Sequence, residues 1–180
     1  DRGWNALADV LDVLTPSVRT ENPPSGEEIN RSIQQQIDRR QAEAALKAID
    51  ARQAQLANTP TPGTDVQLMF QKARALTALG RIDEAEAVYR DMTVRFPELP
   101  EPWNNLAILY VGRNDLDQAR LALEAAIMNN PRYAAAISNL ADLQLLMSLR
   151  EYERAASLGD RKARQRAEAL RQFLIEVNQP

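Results

Sequence analysis

Trp103-Asn104-Asn105-Leu106-Ala107-Ile108-Leu109-Tyr110 has a counterpart 34 residues upstream, Met69-Phe70-Gln71-Lys72-Ala73-Arg74-Ala75-Leu76. The offset persists beyond each octet. Gly80 maps onto Asn114, Ala85 onto Ala119, Tyr89 onto Leu123, Met92 onto Ala126 and Pro97 onto Pro131. A third copy begins at the same offset, with Ile137, Leu140 and Ala141 under Trp103, Leu106 and Ala107. A period of this length marks a repeat array, in which each unit buries its apolar face only against its neighbours.

The residue types at these positions describe a helical hairpin. Trp103, Leu106, Ala107 and Tyr110 fall at i, i+3, i+4 and i+7, one apolar stripe on a first helix. Leu116, Ala119, Leu123 and Ala126 form the facing stripe on a second. Alanine at 73, 107, 141, 85 and 119 lets the two helices approach closely. Gly80 and Asn114 stand where the chain reverses, and both residue types tolerate a positive φ. Pro97 and Pro131 stop each second helix.

This pattern, W-x2-L-A-x2-Y followed by A-x3-L-x2-A-x4-P, resembles the tetratricopeptide repeat. Residues 100–133 match nearly every signature position, and residues 66–99 depart at Lys72, where an apolar residue is usual. The resemblance implies an all-α fold, an α-α superhelix of three to four helical hairpins with a C-terminal capping helix. The run Phe96-Pro97-Glu98-Leu99-Pro100-Glu101-Pro102-Trp103 is also similar to small bacterial proteins of this family, many of which carry signal peptides. That likeness implies a periplasmic or secreted location, with the cytoplasm as the alternative.

The ends are less regular. Ile137 to Tyr152 spans 15 residues, where Met69 to Tyr89 spans 20, so a turn is missing from the third unit. No Gly or Pro lies between Tyr133 and Leu158, so one long or kinked helix of about 26 residues is expected to replace the hairpin over 134–158. Gly159-Asp160 then breaks the chain. A last helix within 160–178 carries Ala163, Ala167, Leu170, Phe173, Leu174 and Val177 and is expected to cover the open end. Upstream, Ile29, Ile33, Ala45 and Ile49 suggest a degenerate hairpin over 25–59, with Ser25 and Glu28 as its capping box. Pro60-Thr61-Pro62-Gly63-Thr64 is a spacer before the repeats begin at 65. Residues 1–24 stand apart as an amphipathic segment and linker. Trp4, Leu7, Val10, Leu11 and Leu14 line one stripe before Pro16 and Pro23-Pro24. Such a segment docks on its own solenoid, joins a partner or second copy through Trp4, Leu7, Leu11 and Leu14, or anchors at an envelope surface.

Composition narrows the function. The 180 residues are 44% hydrophobic and only 5% aromatic, with Ala and Leu prominent, a balance that favours close-packed helices over sheets. The net charge of −3 argues against nucleic acid as a partner, because that affinity comes from neutralised phosphates. Residues 150–171, with seven Lys or Arg against four Asp or Glu, read as a solvated helix face. With no Cys and no His, disulfides, the usual zinc ligands, Cys–His pairs and a histidine base are excluded. No apolar run reaches the ~18–20 residues that span a bilayer. The first residue is Asp1, which leaves room for a signal peptide or anchor ahead of it. The carboxylate pairs Asp83-Glu84, Asp115/Asp117 and Glu151/Glu153 sit on expected helix starts and exposed faces, where charge is ordinary. No catalytic residue, metal site or cofactor is expected.

The resemblance implies a site. In the family the first helices line a concave groove that holds a protein or peptide. The corresponding residues here include Phe70, Arg74, Asn104, Asn105, Ile108, Val111, Asn139, Asp142, Leu145 and Leu146. An Asn amide offers a donor and an acceptor together, which suits an extended peptide backbone. Co-chaperones of the family place Asn at the positions of Asn105 and Asn139 and add cations that clamp a carboxylate. Here Asn104, Ser138, Ile108 and Asp142 occupy those neighbouring positions and Arg74 is the only cation, so no carboxylate clamp is expected. The expectation is a non-catalytic adaptor that binds a partner segment, within an envelope assembly if the bacterial likeness holds. The alternative is a self-assembling structural protein, a homo-oligomer in which the N-terminal segment docks on another copy.

Overall fold

The computed structural model describes residues 26–38, 41–58 and 65–177, and every regular element among them is a helix. In chain order these are α1 (Gly26–Asp38), α2 (Ala42–Ala57), α3 (Val66–Ala78), α4 (Ile82–Arg95), α5 (Pro100–Gly112), α6 (Leu116–Asn129), α7 (Ala134–Ser157) and α8 (Arg161–Val177). The segment bearing Trp4, Leu7, Leu11 and Leu14, the cap residue Ser25 and the spacer 60–64 lie outside the described residues.

Local chemistry sets the helix ends. Asp65 and Asp115 cap α3 and α6, accepting from Leu68 N at 2.9 Å and Gln118 N at 3.2 Å. Asp160 accepts from Lys162 N and Ala163 N at 2.8 and 3.0 Å. Pro100 and Pro102 occupy the first turn of α5, where the missing N–H removes no helical bond. Three helices end in the same way: Gly80 (φ 72°), Asn114 (φ 58°) and Gly159 (φ 101°) turn the chain into the left-handed region. The amide after each one donates back five residues, to Leu76, Tyr110 and Ala155 at 2.9, 2.9 and 3.1 Å. A Cβ on Gly80 meets nothing within 4 Å. Gly80→Ala is therefore expected to cost only the backbone penalty, about 1–2 kcal/mol, measured by urea denaturation. A larger loss would point to a packing role the geometry does not contain.

Each first helix has two buried faces. Leu68, Pro102 and Ala136 stand one repeat apart and are all buried, as are Ala75, Leu109 and Leu143. These look back at the preceding unit. Ala73 and Leu76, then Ala107 and Tyr110, are buried on the face that receives the unit's own second helix. One core runs from Leu46 through Tyr89, Leu106 and Leu123 to Leu143, and a second joins Ile33, Ile37, Ala45 and Ile49 to Leu68 and Ala75. Trp103 is half-buried against the larger core, and its indole N–H donates to Pro97 O at 3.0 Å.

The third unit differs. α7 runs unbroken for 24 residues, and among the described residues no second helix covers Ile137 and Ala141 in its first half. Ile137 is consequently 45% exposed and Ala141 is exposed, whereas the backward-looking Ala136 and Leu143 are buried. The expected stripe of Ile137, Leu140 and Ala141 thus does not carry its counterparts' burial, because no helix among the described residues covers it. α8 folds back along α7 instead, burying Ala163 and Ala167, with Arg166 stacked 5.7 Å from the Tyr152 ring.

Lys72 also finds its reason here. Its ammonium bonds Asp50 Oδ1 and Gln53 Oε1, both at 3.0 Å. α2 thereby offers the lysine two polar partners.

A candidate partner-binding groove

The first helices α1, α3, α5 and α7 stand in a row, and three hollows run across them. The first, about 320 Å³, lies among Gln34, Phe70, Arg74, Met92, Glu101 and Pro102. The second, about 290 Å³, is lined by Ile37, Arg74, Thr77, Tyr89, Asn105 and Ile108. The third, about 150 Å³, is lined by Ile108, Val111, Asn139, Asp142, Leu143 and Leu146. Arg74 lines both of the first two and Ile108 both of the last two, so neighbouring hollows share a wall along the row. A larger hollow of about 560 Å³ lies elsewhere, between α2, α4 and the back of α3. Its rim includes Ala57 and Asp65, which flank the undescribed residues 59–64, and it brings none of the groove residues together.

A polar chain crosses the groove floor from one repeat to the next. Asn139 Nδ2 donates to Asn104 Oδ1 at 2.8 Å, Asn104 Nδ2 to Asn105 Oδ1 at 3.3 Å, and Asn105 Nδ2 to the Tyr89 hydroxyl at 3.0 Å. Tyr89 is 2% exposed, and its ring meets Phe70 edge-on at 5.9 Å. Burial pushes the Tyr89 phenol above its ordinary pKa, which keeps it neutral. Arg74, the one cation lining the groove among the described residues, is held by α1, donating to Gln34 Oε1 at 2.6 Å and to Asp38 Oδ1 at 3.4 Å.

The structure places the ten expected groove residues unevenly. Phe70, Arg74, Asn105, Val111, Asn139 and Leu146 are half-buried in the groove wall, Asp142 is exposed at its far end, and Ile108 is 51% exposed at its centre. Asn104 is only 5% exposed and lies beneath the surface as the middle of the polar chain. Leu145 is half-buried and lines none of the three hollows. Sequence reasoning missed Tyr89, Gln34 and Ile37. Tyr89 reads as core, and its hydroxyl reaches the groove only because α4 packs behind α5. Gln34 and Ile37 were hidden by register. α3 begins 40 residues after α1 rather than 34, because α2 is two residues longer than α4 and the connection that follows it is four residues longer. The extra six residues were the available signal.

Comparison with known proteins agrees with the repeat. A family model described as tetratricopeptide repeat matches residues 66–109, and a second model of the same description matches residues 100–133. No curated protein matches the sequence. Among solved structures, the type III secretion translocator chaperone SycD of Yersinia enterocolitica is similar at 19% identity and a TM-score of 0.56, covering 72% of this chain and 92% of that one. An alternative dimer of the same chaperone gives 18% identity and a TM-score of 0.58, with 69% and 92% covered. Naa15, in a complex with Naa10 bound to HypK-THB, gives 22% identity and a TM-score of 0.54, with 82% of this chain but 23% of that chain covered. At these identities the likeness is one of fold. Among the described residues no helix is long and apolar enough to cross a membrane.

Proposed function

We propose that this chain, a member of the tetratricopeptide-repeat family, is a non-catalytic adaptor that holds an extended segment of a partner protein along the row of first helices. The observation that carries this reading is the row of three hollows that share Arg74 and Ile108 as walls, with that isoleucine half in solvent between the last two. An apolar side chain set between hollows offers an anchor point for a partner's apolar residue, since covering it removes apolar surface from water. Phe70, Val111 and Leu146 extend the apolar floor to either side. Asn105 and Asn139 each spend one amide hydrogen on a neighbouring helix and keep a second for a bound backbone. The envelope of a bacterium is the setting we propose for the partner, on the sequence likeness described above.

The test is a crosslinking pulldown from the native source, followed by affinity measurement on the captured protein. The Asn105→Ala/Asn139→Ala double substitution is expected to weaken binding tenfold or more. Unchanged affinity, with circular dichroism showing the variant folded, would remove the Asn pair as backbone ligands. Turnover of a substrate by the purified chain would end the adaptor reading.

A further inference from the structure

Among the described residues, the charged side chains that line the three hollows are Arg74, Glu101 and Asp142. The cation is already met within the fold, its guanidinium lying 3.4 Å from Asp38 Oδ1 and 2.6 Å from Gln34 Oε1. Glu101, in the first turn of α5, and Asp142, on α7, are both exposed. Neither joins an ion pair with a described residue. The row therefore sets two open carboxylates at the edges of apolar hollows. We propose that the partner segment it holds is basic: an extended stretch with Lys or Arg at two places four residues apart and an apolar residue between them.

The spacing follows from the repeat. Asp142 is the counterpart of Ile108 one 34-residue period on, and Ile108 stands seven residues beyond Glu101 on α5. Seven residues rise about 10 Å along a helix. α5 and α7 are neighbours, joined by the 2.8 Å bond from Asn139 to Asn104, and packed helices lie about 8–10 Å apart. The two carboxylates are thus roughly 14 Å apart on a diagonal across the row. An extended chain advances about 3.3 Å per residue, so four residues cover that span. Its alternate side chains share a face, which turns the first, third and fifth of such a stretch towards the groove together. The diagonal runs between Asn105 and Asn139, which are counterparts in the repeat, so the bound backbone meets their amides. The middle side chain then falls within reach of Ile108, which is 51% exposed.

The sign of the charge selects the class of partner. A segment with acidic residues at those two places would bring like charges together at both ends, with Arg74 already engaged by α1. A wholly apolar segment would cover two carboxylates without pairing them. A partly exposed ion pair contributes a few-fold in affinity, and two together about tenfold. The net charge of −3 also draws a basic segment towards the chain, an attraction that salt screens.

The inference rests on the groove being a binding face, and its test separates the two. Random peptides of about a dozen residues, displayed on phage, are selected on the immobilised full chain and kept only where the uncharged change Ile108→Gln lowers their capture. Enrichment of Lys or Arg at two places four residues apart, around an apolar residue, is the expected result. Groove-dependent peptides that lack the basic pair overturn the proposal and leave the adaptor reading standing. No groove-dependent peptide at all overturns both. The tightest selected peptide is then titrated by fluorescence anisotropy into the natural chain and into its Glu101→Gln/Asp142→Asn variant, whose two changes lie at exposed positions and leave the fold intact. Removing the carboxylates is expected to weaken binding about tenfold. Replacing the peptide's two basic residues with Ser should weaken it equally on the natural chain, and should add nothing on the variant. A variant that binds as tightly as the natural chain overturns the proposal. So do two losses that compound in full, which would put the basic residues against other groups.

Discussion

Tyr89→Ala is expected to lower the unfolding free energy by about 3–5 kcal/mol, the range for removing a buried aromatic ring from a packed core. Tyr89 is 2% exposed, sits in the larger core cluster, and meets the Phe70 ring edge-on at 5.9 Å. Its loss opens a cavity between the second helix of one unit and the first helices on both sides. It also leaves Asn105 Nδ2 without its acceptor. Tyr89→Phe separates the two effects. It keeps the ring and removes only the hydroxyl, so it should cost about 1 kcal/mol, the ordinary worth of one hydrogen bond. Urea denaturation followed by circular dichroism reads both. A Tyr89→Phe variant as damaged as Tyr89→Ala would mean that the polar chain, not the ring, holds the repeats in register.

Leu143→Ala is expected to cost about 2–5 kcal/mol, and Ile137→Ala about 0.5 kcal/mol or less. Extension of the 34-residue period puts Ile137 under Trp103 and Leu143 under the buried Leu109, so it leads one to expect a substantial cost at both. The structure separates them. Leu143 is 1% exposed in the face that looks back at the preceding repeat, while Ile137 is 45% exposed on a face that no second helix covers among the described residues. Since α8 is folded along α7, loosening Leu143 should release the two together. Hydrogen exchange should therefore show faster amides throughout α7 and α8 with little change in α3 and α4. Equal costs at 137 and 143 would mean that α7 sits in a different rotation about its axis.

Much of the architecture was legible in the residues themselves. The spacing of Trp103, Leu106, Ala107 and Tyr110, the small residues facing them, and Gly80 and Asn114 at the reversals are local instructions. Each is tied to helix period or to a backbone angle that few residue types accept. The turns at 80, 114 and 159 need only the chain within a few residues of them. The unbroken α7 is likewise consistent with the lack of any Gly or Pro between Tyr133 and Leu158.

The site was legible only as a set of candidate positions. Which of Asn104 and Asn105 lies under the surface depends on where α4 and α7 pack, contacts 16 and 35 residues away in sequence. Arg74 being held by Gln34 and Asp38 depends on the register of α1, and that register follows the lengths of α2 and of the connection after it rather than the repeat period. Sequence fixes what one helix offers on each face, since 3.6 residues per turn is a property of a single segment. Which of those faces is covered, and by what, is a property of neighbours. The sequence by itself therefore determined the hairpin, its repetition and the loss of a turn from the third unit, and the tertiary structure alone decided which faces of the last first helix stay buried and which side chains line the groove.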